Sequence, residues 1–160
     1  MNNGLRKLKS EDGQVFEVEE SFLVKSKYFK DLINDYYPDP DQEININQID
    51  GKNLSKIIEY LKHYEYEKPK DIPKPLVTSD LKSILPEWDY NFINSLSLEE
   101  CIELANAATY LYVNGLINLS TAKLASEMLN GPIEQVREKF GIKSDMTEDE
   151  MKKFEQYKLD

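Results

Sequence analysis

Cysteine and histidine are nearly missing from this chain: Cys101 and His63 are the only ones. A single thiol excludes an internal disulfide and fits a reducing compartment, cytosol or nucleus. One thiol and one imidazole cannot make a zinc site unless carboxylates supply most of the ligands. His63 lies at the end of a helical pattern with no ligand-spaced neighbour, so a solvated imidazole is expected. Cys101 takes a core or staple position on an apolar helix face, where thiols are inert. A Cys101–His63 nucleophile–base pair is therefore not expected. Phosphate cradles are missing too, since neither G-x-x-x-x-G-K nor G-x-G-x-x-G occurs. Asp39, Asp41 and Glu43 have the spacing that opens a calcium loop, but Ile44 stands where an EF-hand needs glycine. No apolar run approaches the roughly 20 residues of a membrane span. The polar start MNNGLRKLKS holds no apolar signal core. Positive charge is also short: 20 Lys and Arg face 30 Asp and Glu, for a net charge of −10. Such a chain repels phosphate backbones, which disfavours nucleic acid as a partner. No enzyme, metal, cofactor, nucleic-acid or membrane function is indicated. The expectation is an acidic, soluble interaction protein of the cytoplasm and nucleus.

With 160 residues the chain can bury a core as one domain with a small appendage. Its longest stretch of low polarity is Ser97–Leu129, which reads as two helices joined at Asn114-Gly115. Ser97 and Glu100 have capping-box spacing, with Leu96 and Cys101 placed as a hydrophobic staple. Leu98, Ile102, Ala105, Ala108 and Tyr112 recur at helical steps, and Leu104, Ala107 and Leu111 make a second face. Apolar residues on two sides require neighbours on two sides, and the alanines allow close approach. Gly115 is expected to end the first helix in a left-handed conformation. Leu116, Ile117, Leu119, Ala122, Leu124, Ala125, Met128 and Leu129 make the next helix apolar on more than one face. A helical hairpin of this kind is the hub of the fold.

Ahead of the hub, Asp12-Gly13 predicts a two-residue hairpin turn between Leu5–Ser10 and Gln14–Val18. Phe22, Leu23, Tyr28, Phe29, Leu32 and Ile33 follow as short helices divided at Ser26. Pro38 and Pro40 end them in a loop. Glu43–Ile49 alternates as a short strand, and Leu54, Ile57, Ile58 and Leu61 form a helical stripe after Gly51. Residues 65–86, with Pro69, Pro73, Pro75 and Pro86 among lysines and acids, read as a surface loop that is partly disordered. Trp88, Phe92 and Ile93 return to the core.

After the hub, Gly131-Pro132 ends one helix and starts another, with Pro132 at its first position. Ile133, Val136 and Phe140 form a narrow stripe, broken at Gly141-Ile142. Thr147 and Glu150 form a second capping box, with Met146 and Met151 as its staple, and Met151, Phe154 and Tyr157 line another narrow stripe. Helices this short are marginal alone. They must dock, either back on the hairpin or on another protein.

Five stretches of the chain, in order, are familiar together: SEDGQVFEV (10–18), LSKIIEYLKHY (54–64), PEWDYNFI (86–93), AATYLYVNGL (107–116) and VREKFGIKSDMT (136–147). The order of elements resembles the BTB/POZ fold, an α+β fold. The Trp88-Asp89 pair and the FGIKSDMT stretch are similar to the S-phase kinase-associated protein family, the adaptors of SCF (Skp, cullin, F-box) ubiquitin ligases. The resemblance implies a BTB/POZ domain over 1–130 and a C-terminal helical F-box-binding extension over 131–160. It implies a non-catalytic adaptor whose partners are F-box proteins and the cullin N-terminal domain, with a weak homodimer when the F-box is absent. Carried over by motif, the F-box surface comprises Ala105, Ala108, Val136, Arg137, Phe140 and Ile142. Met151 and Phe154 are added from their stripe. The cullin contact falls on Thr109 and Tyr110, where Thr109 replaces the family's Asn. NGPIEQVR also departs from the family's G-K-T-P-E-E-I-R, one residue shorter and without the Thr before Pro132. An elongin-C-like adaptor or a self-associating BTB protein is the alternative.

Overall fold

A small sheet and a helical hairpin share one core. The computed structural model describes residues 4–143 and 147–157, the side chains from 154 onward excepted. Strand β1 (Leu5–Ser10) is central, antiparallel to β2 (Val15–Glu19) and parallel to β3 (Glu43–Ile46). Leu8 faces Phe16 on one side and Ile44 on the other. Alternation buries Arg6, Leu8 and Ser10 on one face of the strand, as a period of two requires. The third strand is shorter than its alternating pattern, stopping at Ile46 rather than Ile49.

The hairpin forms, but with a longer turn than the two-residue one expected. Glu11, Asp12 and Gly13 all lie in the loop, with Gly13 at φ +83 donating its N–H to Ser10 O at 3.0 Å. The reason is the use made of Asp12. Its carboxylate accepts from the Ser10 hydroxyl, from the Gln14 amide (2.7 Å) and from the N–H of Gly51 (2.8 Å). The hairpin tip is thus fastened to the start of α3.

Helix α1 (Glu20–Leu23) leads through Ser26 into α2 (Lys27–Tyr36). Ser26 caps α2 by accepting from Phe29 N, and its hydroxyl donates to Leu111 O across the core. Arg6, only 4 % exposed, pairs with Glu20 at 2.7 Å and donates to the carbonyls of Tyr37 and Asp39. That buried guanidinium holds the 37–41 loop in place. Among the described residues no group of three or more His, Cys, Asp or Glu is arranged to hold a metal.

Helix α3 (Gly51–His63) is capped by Asp50, which accepts from Asn53 N at 2.7 Å. It buries Leu54, Ile57, Ile58 and Leu61 as its stripe predicts, and Tyr60 as well. Residues 65–86 are not a loose surface loop. Leu81, in a short 3-10 turn at Leu81–Ser83, and Leu85 are buried, Ile72, Leu76 and Ile84 pack on the core, and Lys74 bonds Asn118 at 2.7 Å. Its scattered apolar residues follow no helical or strand period, so pattern alone does not reveal that they bury.

Helix α4 (Glu87–Asn94) brings Phe92 and Ile93 into the core. Trp88 stacks between His63 (3.6 Å, 4°) and Phe92 (4.9 Å, 17°). The imidazole is exposed, yet one face rests on the indole rather than in water. Asp89 is buried and accepts from the Tyr64 hydroxyl through both oxygens, at 2.7 and 2.6 Å. Burial pushes its carboxyl up against that hydrogen bond, which pulls it down.

The hub is α5 (Leu98–Tyr110) against α6 (Asn114–Leu129). The Ser97–Glu100 capping box is complete. Lys52 and the cap hold the Glu100 carboxyl well down, at about 2. The joint between the helices is not made by Gly115. Tyr112, at φ +53, supplies the left-handed residue. The N–H of Val113 bonds Ala108 O at 2.9 Å and that of Tyr112 bonds Thr109 O at 3.1 Å, the paired closure of a Schellman end. Gly115 lies inside α6, and close approach is what it provides. A Cβ there would stand 2.4 Å from Tyr60 Oη and 2.7 Å from Pro69 Cγ.

Candidate protein-binding surface

Cys101 sets the register of the hub. Its buried thiol reaches Ser120 O at 3.5 Å, and burial pushes it up to about 11. Helix α5 begins at Leu98, one turn before Cys101, so the last turns of the antiparallel α6 run past it. Met128 (48 % exposed) and Leu129 (56 %) therefore have nothing to pack on, although the sequence counts them with the core stripe. Ile102, on the first turns of α5 at the same end, is exposed as well.

Two short helices continue from this end. Helix α7 (Ile133–Lys139) has Pro132 as its N-cap rather than its first residue, so it starts one place later than expected, and it ends at Gly141 in a second Schellman closure. No residue of α7 is buried. Ile133 and Ile142 are exposed, while Val136, Arg137 and Phe140 are half-buried. Helix α8 (Glu148–Tyr157) opens with the Thr147–Glu150 capping box, and Met151 on it is 44 % exposed. The Met146 half of the expected staple and the side chain of Phe154 lie outside the described residues.

One tie between α6 and α7 is ionic. Glu127, 18 % exposed near the end of α6, pairs with Lys123 at 2.6 Å and also with Lys139 of α7. Those two lysines hold its carboxyl below the usual range. The Lys123–Glu127 pair was legible as an i,i+4 spacing. The reach to Lys139 was not, because it depends on the turn at Gly131-Pro132.

Of the F-box residues expected from sequence, Val136, Arg137 and Phe140 lie on α7 or at its end, Ile142 follows them, and Met151 lies on α8. Ala105 and Ala108 are not on a surface. Ala108 is fully buried in the core and Ala105 is 9 % exposed. A covered methyl group offers a partner nothing, so these two leave the candidate surface. Ile102, Met128, Leu129 and Ile133 join it. Met128 and Leu129 were signalled by apolar residues on more than one face of α6, a surplus beyond what one neighbour covers, while Ile102 and Ile133 stood in the stripes of α5 and α7.

Thr109 and Tyr110 lie at the other end of α5. Thr109 is exposed, its hydroxyl turned back to Ala105 O at 2.8 Å. Tyr110 is half-buried; its hydroxyl lies 3.2 Å from that of Tyr28, with the rings 5.2 Å apart. Tyr110 also lines a cavity of about 400 Å³ with Glu11, Asp50, Asn53, Glu103 and Asn106. The molecule thus carries two separate faces, an apolar one at the far end of the hairpin and a tyrosine-bearing one at its joint.

The chain is similar to known proteins. Residues 5–66 match the model of the Skp1 family tetramerisation domain, and residues 114–158 that of the Skp1 family dimerisation domain. The S-phase kinase-associated protein 1 homolog of Tetrahymena thermophila is 34% identical over 152 residues, 94% of this chain and 90% of that protein. SKP1-like protein 4 of Arabidopsis thaliana is 35% identical over 144 residues, 89% of this chain and 86% of its own length. The chain belongs to the Skp1 family. Residues 5–66 are accordingly a BTB/POZ-like domain, and the described chain is α+β. Among the described residues no helix is long and apolar enough to cross a membrane.

Proposed function

We propose that this chain is a non-catalytic adaptor of an SCF-type ubiquitin ligase, bridging the N-terminal domain of a cullin to F-box substrate receptors. The observation that carries the reading is the run of uncovered apolar side chains from Met128 and Leu129 through Ile133 and Ile142 to Met151. Helices as short as α7 and α8 do not hold such side chains in water for their own stability. A partner that buries them gains the hydrophobic term while the hub stays intact. Family membership supports the same reading. Residues 1–130 then form the BTB/POZ unit, and 131–160 the extension that clasps the F-box through Val136, Arg137, Phe140, Ile142, Met151 and Phe154. Thr109 and Tyr110 face the cullin.

Calorimetric titration of the whole chain with an isolated F-box tests it. Tight one-to-one binding with a negative heat-capacity change is expected. Absence of binding overturns the F-box half of the reading. Phe140→Asp places a charge in the clasp. It is expected to abolish F-box binding and to leave cullin binding within about twofold, since hot-spot losses stay local to their own interface.

The same apolar surface favours a second copy of the chain when no F-box is present. A weak homodimer that an F-box peptide dissociates, seen by sedimentation velocity, is the expected form of self-association. A tight dimer indifferent to the peptide makes the chain a self-associating BTB protein instead.

A further inference from the structure

Tyr60 is only 3 % exposed, yet its hydroxyl makes no hydrogen bond among the described residues. A fully buried polar atom there always has a partner, so this oxygen keeps contact with solvent. Tyr60 lines a cavity of about 430 Å³ between α3, residues 67–69 and the start of α6. Its hydroxyl is aimed at Gly115 in that cavity, where a Cβ would stand 2.4 Å from Oη. Burial, and then Tyr64 and Asp89, push the hydroxyl pKa up, so it stays a donor.

The N-terminus of α6 opens into the same cavity. Val113 gives it no side-chain cap. The first bond of the helix runs from Ile117 N to Val113 O at 3.0 Å, which leaves the amides of Asn114, Gly115 and Leu116 without partners among the described residues. Such an end carries about half a positive charge. Lys68 lines the cavity with no ion-pair partner among the described residues, and Lys25 lies beside it, donating to the carbonyls of Tyr64 (2.6 Å) and Glu65. Glu67 brings the single carboxylate of the lining. Two ammonium groups against one carboxylate leave the cavity locally positive on a chain of net charge −10.

We propose that this cavity binds a small aromatic carboxylate, whose anionic group accepts from the Tyr60 hydroxyl and the free amides at the start of α6 while its ring packs on Pro69 and Val113. The inference goes beyond the adaptor reading and does not depend on it. Uncapped amides beside a buried hydroxyl donor are the groups that hold an oxyanion. The size and the apolar part of the lining suit a ring rather than a bare ion. A dianionic phosphate suits it less, because Glu67 opposes the second charge. A metal cation suits it least, with one carboxylate facing two ammonium groups. At physiological salt, charges beyond about 8 Å are screened, so this local set outweighs the acidity of the whole chain.

Titration of the full chain with sodium benzoate, followed by amide NMR, tests the site, with benzamide as the uncharged isostere. Saturable shifts of the Asn114, Gly115 and Leu116 amides are expected, with a midpoint of about 1–10 mM for so small a ligand. Benzamide should bind at least about tenfold more weakly. Tyr60→Phe removes the oxygen and keeps the ring. It should weaken benzoate about tenfold, the loss of one hydrogen bond to a charged group. Without benzoate it should melt with wild type, since the hydroxyl has no partner to lose. Lys68→Gln, at an exposed site, should weaken benzoate about threefold and keeps the test decisive should Tyr60→Phe not fold. Absence of saturable shifts at the three amides overturns the proposal, as does an equal response to benzamide. Undiminished benzoate binding in the variants overturns it too. A lower melting temperature of Tyr60→Phe with benzoate binding unchanged makes the hydroxyl a structural group and overturns it likewise. Each of these failures leaves the adaptor reading standing.

Discussion

Glu100 does two things at once, returning the Ser97 cap and pairing with Lys52 at 2.5 Å. Both favour the charged form, so its carboxyl falls from 4.5 to about 2 on folding. A depressed folded value means stability that is present above the unfolded value and lost as pH falls through the folded one. Thermal melts should therefore show wild type above Glu100→Gln at pH 6. The gap should close between about pH 4.5 and 2 and be absent below that. A gap that persists at the acid end would contradict the assignment. At Gly115 the argument is steric rather than electrostatic. Gly115→Ala drives a methyl group into Tyr60 and Pro69. Denaturant unfolding should show a loss of about 1–3 kcal/mol, the usual cost of overpacking. A stabilised Gly115→Ala, as expected for an ordinary helix interior, would show that Pro69 gives way freely.

At the scale of elements, α6 decides the architecture of the far end. It is 16 residues long against 13 for α5, and the register set at Cys101–Ser120 leaves the surplus at its C-terminus. Glu127, on that surplus, ties α7 to the hub. Glu127→Gln keeps the shape and removes the charge that Lys123 and Lys139 share. Hydrogen exchange should then quicken by roughly two- to fivefold at the closing amides of α7, those of Gly141 and Ile142, in line with a partly exposed ion pair. Amides of α5 should not change. Equal quickening in α5 would mean that Glu127 supports the hub as a whole.

On the scale of the whole molecule, the sheet, α3 and the hub close one core with Phe29, Leu8, Ile57 and Leu116 inside it. The two proposed faces lie at opposite ends of α5, so binding at one leaves the other free. Whatever binds the folded chain alone must raise its stability. An F-box at about 100 times its dissociation constant adds about 2.7 kcal/mol, which for a chain of this size raises the melting temperature by roughly 5–10 °C. The shift should vanish for Phe140→Asp. A shift that survives Phe140→Asp would place the F-box elsewhere.

Local signals were enough to read much of this protein. The cap at Ser97–Glu100, the division at Ser26, the stripe of α3, the Asp12-Gly13 hairpin and the capping box at Thr147 each depend on residues within a turn or two of one another. Propensity and hydrogen-bonding chemistry act at that range. The narrow stripes after Gly131 also announced helices that need a neighbour. What the sequence left open was which apolar residues would be covered. Ala105 and Ala108 went inside and Met128 and Leu129 stayed outside because of where α5 ends beside α6. Residues 65–86 packed down because Leu81 and Leu85 found space under α4 and α6. Tyr112 rather than Gly115 took the left-handed joint because Tyr60 and Pro69 claimed the glycine for close approach. Each of these outcomes turns on contacts between residues far apart in the chain, and burial is a property of the assembled core that no single segment carries.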